Sequence, residues 1–184
     1  MNVYACPSDP NTRRVFTVAS DPQGFHSNYV ACAGSTSLNT AGSNGGEKLN
    51  GIFYWKSKTK LVNITDGTSN TLMVSEINIS QDIAGHDVRG RMYNPARQGS
   101  ILFSTLNTPN NRSTPDRLQY CQSIPMAPCT GTTTDINLTA RSHHEGMVMA
   151  ALADGTVRPI VDGINAAIYR AAGTRDGAEV GNLD

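Results

Sequence analysis

Gly146-Met-Val-Met-Ala-Ala-Leu-Ala-Asp-Gly-Thr-Val-Arg-Pro-Ile160 decides how this chain is read. Two apolar runs flank an Asp-Gly pair. Asp-Gly is a strong signal for a tight β-hairpin, because the central residues of a type I′ turn must accept positive φ. A two-residue turn at Asp154-Gly155 sets Ala153 opposite Thr156 and Leu152 opposite Val157. Side chains alternate along a strand, so Val148, Ala150, Leu152 and Val157 fall on one face, expected to be the core side. Asp154 and Gly155 are thereby read as structural residues that shape the turn.

Outward from the hairpin the chain is rich in turns. A short helix is expected after it, with Asp162 as N-cap and Ile164, Ala167, Ile168 and Ala171 at helical spacing up to Gly173. Upstream, Ser27–Cys32 and Thr71–Ile77 have strand composition, and the aromatic patch Phe53, Tyr54 and Trp55 begins another strand. Pro7, Pro10 and Pro22 interrupt the opening, the Gly-rich stretch 33–46 reads as a flexible loop, and the Pro-, Thr- and Asn-rich residues 105–140 read as a long one. The expected fold is α+β, with a small antiparallel sheet, one or two short helices and long loops. It is expected to be one globular domain over 1–184: a loop-rich opening (1–48), strands (49–104), the long loop (105–140), hairpin and helix (141–173) and a tail (174–184).

The 184 residues carry 15 basic and 15 acidic side chains, for a net charge of zero. Binding to nucleic acid or to an anionic membrane surface needs an excess of Lys and Arg, so neither is an expected partner. No apolar run approaches the roughly 20 residues of a membrane span. The four cysteines, Cys6, Cys32, Cys121 and Cys129, allow three disulfide pairings. Cys121 and Cys129, with Pro125 and Pro128 between them, are expected to close a small loop, leaving Cys6 for Cys32. Free buried thiols are the alternative, and no Cys-x-x-Cys or close Cys/His spacing marks a zinc site. Bridged cysteines imply an oxidising compartment.

Two groups of residues could carry chemistry. His143, His144 and Glu145 precede the hairpin. At about 3.3 Å per strand residue, His144 and Asp154 lie at opposite ends of a straight hairpin. The spacing between them is therefore structural, and a catalytic role requires His144 to meet groups from another loop, as a general base or ligand. The second group is Asp66, Asn70, Glu76, Asp82 and Asp87, oxygen donors of the kind calcium takes, although no segment matches an EF-hand loop. No G-x-S-x-G elbow and no H-E-x-x-H motif occurs, which excludes the common serine-hydrolase and zinc-protease signatures. The patch at Phe53, Tyr54 and Trp55 would suit a carbohydrate, but reads first as core.

Several blocks together resemble one family. His144 followed by nine residues and Asp154-Gly155 is an H-x9-DG signature. Ile64-Thr-Asp-Gly-Thr-Ser-Asn-Thr-Leu-Met-Val-Ser-Glu76, Cys6-Pro-Ser-Asp-Pro10, Ser27-Asn-Tyr29, Asp87-Val-Arg-Gly90 and Ile168–Gly177 accompany it in order. The set resembles the DUF1559 family of planctomycete prepilin-like proteins, which are similar to the pseudopilins of type II secretion. The resemblance implies the globular head of such a subunit, an extracytoplasmic location, and contacts with other pseudopilin-like subunits or exported cargo. It also strengthens the calcium expectation, since some major pseudopilins bind calcium in a head loop. The usual cleavage site and hydrophobic N-terminal helix have no counterpart here, so the chain is expected to start inside the head. The function expected is non-catalytic assembly. The alternative is a calcium-dependent hydrolase of small esters or lactones in which His143 or His144, with Glu145, activates water.

Overall fold

The computed structural model describes residues 2–12, 15–18, 21–38, 49–80, 85–92, 99–178 and 183. Its centre is a five-stranded sheet. In chain order the strands are β1 (Val15–Val18), β2 (Asp21–Phe25), β3 (Tyr29–Cys32), β4 (Leu72–Glu76), β5 (Leu102–Phe103), β6 (Asp116–Leu118), β7 (Cys129–Gly131), β8 (Met147–Leu152) and β9 (Val157–Val161). The order across the sheet is β5-β3-β4-β8-β9, while β1-β2 and β6-β7 form separate pairs. The sheet is mixed rather than wholly antiparallel: β5 runs parallel to β3, with Ala31 opposite Leu102. Parallel neighbours need a long connection, and about 70 intervening residues supply it. One α-helix, α1 (Ala166–Ala172), and two 3-10 turns, Asn2–Tyr4 and Leu61–Asn63, complete the α+β fold among the described residues.

The alternation expected of β8 is observed. Val148, Ala150 and Leu152 are buried, and the residues between them are half-exposed. The turn differs from the expectation by one residue. Ala151 pairs with Val157 and Val148 with Ile160, so the loop holds three residues, 153–155. Gly155 takes φ +85° there, the left-handed position that closes a three-residue hairpin loop. Asp154 Oδ1 accepts from the Thr156 N–H and hydroxyl at 2.9 and 2.7 Å, and these bonds hold its carboxyl below the usual range. Slipping a strand by one residue turns all its side chains over. Val157, expected in the core, is 64% exposed and Ile160 is buried instead.

Other expectations shift for local reasons. The helix starts at Ala166 because the N-cap is Asn165, whose side chain accepts from the Ala167 and Ile168 N–H groups. Asp162 instead accepts from Asn110 Nδ2 at 2.7 Å. Residues 51–55 form no strand: Trp55 is exposed, while Tyr54 packs on the core under the Arg175 guanidinium. Residues 39–46 of the Gly-rich loop, and Asp82, lie outside the described residues.

Residues 105–140 are not a structureless loop. They contain the parallel pair β6-β7, and Cys121 and Cys129 are bridged as expected, with Cα atoms 6.3 Å apart. Cys6 and Cys32 are free and buried, so the second expected bridge is not made. Their sulfurs turn to different neighbours, Cys32 toward the Gly173 carbonyl and Cys6 toward Glu76. Burial pushes the Cys32 thiol up to about 12.

A chain of buried ions anchors the same region. Arg89 binds Asp87 at 2.6 Å and approaches Asp116 to 3.9 Å, and Arg141 binds Asp116 at 3.0 Å; all four side chains are 1% exposed or less. Arg89 also donates to the Ala127 and Gln122 carbonyls, and Arg141 to the carbonyl of Asn111. Burial opposes ionisation of Asp87, but Arg89 and the N–H groups of Gln122 and Arg89 outweigh it and hold the carboxyl below its usual range. No helix among the described residues is long and apolar enough to cross a membrane.

Two outcomes follow for urea denaturation. Ile160→Ala should cost about 2–5 kcal/mol, while Val157→Ala should stay within about 0.5 kcal/mol; the reverse order would restore the two-residue turn. Arg89→Ala should cost about 3–5 kcal/mol by stranding buried carboxylates. Arg117→Ala, which breaks the exposed pair with Asp135, should cost no more than about 1 kcal/mol.

Candidate functional site

Residues 2–12 lie against one end of the sheet, beside β3 and β4, with Asn28 as the hub of their contacts. Asn28, just before β3, accepts from the Cys6 N–H at 3.0 Å and from the Thr12 hydroxyl at 2.9 Å. Its Nδ2 donates to Asp9 Oδ2 at 2.6 Å and to the Ile77 carbonyl at 3.0 Å. Asp9 in turn accepts from the Ile79 and Asn11 N–H groups. A turn closes between them, with the Asp9 N–H donating to the Cys6 carbonyl. These bonds satisfy every polar atom of the buried Asn28 side chain and fix where Cys6 points.

Glu76 ends β4 directly opposite Tyr29, and it is buried. Its Oε2 accepts from the Met149 N–H of β8 at 2.8 Å, which leaves Oε1 facing Cys6. The Arg141 N–H donates to the Glu76 carbonyl, so the following segment, Ser142-His143-His144, runs alongside. The His144 N–H donates to Ser142 Oγ. Three side-chain atoms then meet. Cys6 Sγ lies 3.4 Å from Glu76 Oε1 and 3.8 Å from His144 Nε2, and His144 Nε2 lies 3.4 Å from Glu76 Oε1. Among the described residues no other three His, Cys, Asp or Glu side chains place ligand atoms within 4.8 Å of one another.

Burial raises the Cys6 thiol, the N–H of Ser8 opposes this, Glu76 adds to it, and the N–H of Asp9 again opposes. Tyr29 is pushed up to about 12 by burial and by Cys6 and Glu76 beside it. A buried thiol raised in this way is a poor nucleophile. A Cys-His-acid relay also needs the two partners on different imidazole nitrogens. Here both the sulfur and the carboxylate converge on Nε2. The arrangement therefore suits three donors around one point, as a cation requires, better than a proton relay.

The remaining predicted residues are dispersed. His143 Nε2 stands 3.5 Å from Asp9 Oδ1 without hydrogen-bond alignment, and Glu145 is exposed. Asp66 accepts from the Thr174 hydroxyl and from the Gly177 and Ala178 N–H groups, and Asn70 donates to the Asp66 carbonyl. Asp87 is committed to Arg89. Asp66, Glu76 and Asp87 thus serve three separate networks. Asp154 sits at the hairpin tip, away from the histidines, as the strand length requires.

Cys6 was not among the residues expected to work with His144. It lies 138 positions away, and cysteine pairing absorbed it. The usable signal is that Cys6, Asn28, Glu76 and His144 each belong to one of the blocks quoted above.

The fold and this centre define an α+β protein that carries a part-buried Cys-Glu-His cluster. Residues 1–167 match the model of the family described as protein of unknown function (DUF1559), and the chain belongs to that family. No curated protein and no solved structure matches the chain.

Peptide mapping after alkylation in denaturant, without reductant, should label Cys6 and Cys32 and recover 121 and 129 as one bridged species. A peptide linking 6 to 32 would overturn this thiol assignment.

Proposed function

We propose that the chain is the extracytoplasmic, non-catalytic head of a pseudopilin-like secretion or surface-assembly protein. Its loops would contact other subunits or exported cargo. The observation that carries this reading is where the family's blocks go. Cys6, Asp9, Asn28 and Glu76 bury their polar atoms in one another, with the part-exposed His144 beside them, and fasten residues 2–12 to the sheet. That placement supports a structural role for these blocks, holding a head together. The bridged Cys121–Cys129 adds support, because disulfides persist in oxidising compartments.

Acyl transfer needs a nucleophile, a base and an oxyanion donor facing one space. Cys6 is 4% exposed, and Glu145 is solvent-exposed. The hydrolase alternative rests on His144 alone, which is a third exposed beside Glu76.

Purified protein should turn over p-nitrophenyl esters and small lactones no faster than buffer, with or without calcium. In expressing cells, a membrane-impermeant biotin reagent should label it from outside the cytoplasm. Turnover lost with a calcium-selective chelator, and reduced roughly 10²–10⁴-fold in His144→Ala as for a general base, would replace this reading with the hydrolase. Labelling only after lysis would overturn the location.

A further inference from the structure

We propose that Cys6, Glu76 and His144 form a mononuclear zinc-type site: Sγ, Oε1 and Nε2 hold one tetrahedral divalent cation, with water in the fourth position. This goes beyond the assembly reading and does not depend on it.

The distances carry the argument. Zinc bonds of about 2.3 Å to sulfur and about 2.0–2.1 Å to nitrogen and oxygen, at tetrahedral angles, put N and O about 3.3 Å apart and S about 3.6 Å from either. The observed separations are 3.4 Å for Nε2···Oε1, 3.4 Å for Sγ···Oε1 and 3.8 Å for Sγ···Nε2. Each lies within about 0.2 Å of the separation that such bonds require. The donor set is also selective. A thiolate with an imidazole favours zinc-like ions, whereas calcium takes oxygen donors and six to eight of them. Three protein ligands leave one position for water.

The surroundings are those a ligand set needs. Ligating side chains are held by outer hydrogen bonds that fix their orientation. Glu76 is held by the Met149 N–H through Oε2, the oxygen that is not a ligand. Cys6 is held through its own N–H, which donates to Asn28 Oδ1 at 3.0 Å. Access is through His144, whose side chain is 34% exposed while Glu76 is 3% exposed. On binding, the Cys6 S–H bond breaks, its proton passes to solvent, and the sulfur pair is donated to the metal.

Cobalt(II) is the probe, added to the full chain after chelator treatment. One equivalent should produce a thiolate-to-cobalt charge-transfer band with the intense visible bands of a tetrahedral ion. One equivalent of zinc should erase both, and excess calcium should not. Cys6→Ser should abolish the charge-transfer band, Cys32→Ser should keep it, and Glu145→Ala should keep it. His144→Ala, at a half-exposed position, should weaken zinc by at least roughly tenfold, the least that even outer-shell changes cost, with circular dichroism confirming the fold.

X-ray absorption on the zinc-loaded wild type needs no variant. One sulfur at about 2.3 Å with nitrogen and oxygen at about 2.0–2.1 Å supports the site, and a shell without sulfur overturns it. Absence of stoichiometric binding, a charge-transfer band that survives in folded Cys6→Ser, or zinc affinity unchanged in His144→Ala would also overturn it. Metal binding is read by spectroscopy on the chelated and reloaded chain, and the assembly reading by turnover of metal-free protein and by surface labelling, so failure here and failure of the assembly reading are told apart.

Discussion

Asp87, Arg89, Asp116 and Arg141 alternate in charge through the interior, and the rest of the structure depends on that alternation. Only 38% of the residues are hydrophobic. From residues 105–140, Leu118, Ile136, Leu138 and Ala140 reach the core, and the turns between them are polar. The ions fix where those turns lie. Each guanidinium presents a fixed fork of donors and fills it with carboxylate and carbonyl oxygens drawn from that segment. A misplaced carbonyl would leave a buried charge short of partners, which is far more costly than a misplaced surface side chain. Specificity of position, more than net stability, is what this network contributes.

That constraint reaches the candidate site through the backbone. Arg141 is held by its guanidinium, its N–H is tied to the Glu76 carbonyl, and two residues later the histidine pair begins. On the other side, Asn28 sets the turn that carries Cys6. Between them Glu76 sits at the end of a central strand, hydrogen-bonded across to β8. Three side chains from separate parts of the chain are thus placed by three independent devices: an ion chain, an asparagine hub and a sheet. None of the three needs a ligand to bring it to the cluster, so the ordering cost of a site there is met largely by folding itself.

The parts of this design that were legible in the sequence are the local ones. Alternation marked β8 and its buried face, and strand composition marked β3 and β4. The hairpin register was not legible, because Asp-Gly closes both two- and three-residue loops, and one extra loop residue exchanges Val157 for Ile160 in the core. At the site, His144, Glu76 and Cys6 were all singled out, each for a different purpose: base, calcium ligand and disulfide partner. Contacts across 70 and 138 residues have no periodicity to reveal them. The even cysteine count misdirected the reading of Cys6 and Cys32, since parity cannot distinguish two bridges from one bridge and two buried thiols.

The coexistence of a bridge and two thiols in one chain has its own physical logic. Oxidation follows thiolate character and exposure. Cys32 is wholly buried with its thiol raised to about 12, so it is protected on both counts. Cys6 is protected less completely. It is buried and its thiol is raised, but the part-exposed His144 ring lies beside it. In an oxidising compartment a thiol so placed survives best when its sulfur lone pair is engaged. Glu76 engages it weakly, at 3.4 Å. A bound cation would engage it fully, and would also join into one requirement the three residues that the family's blocks hold in contact.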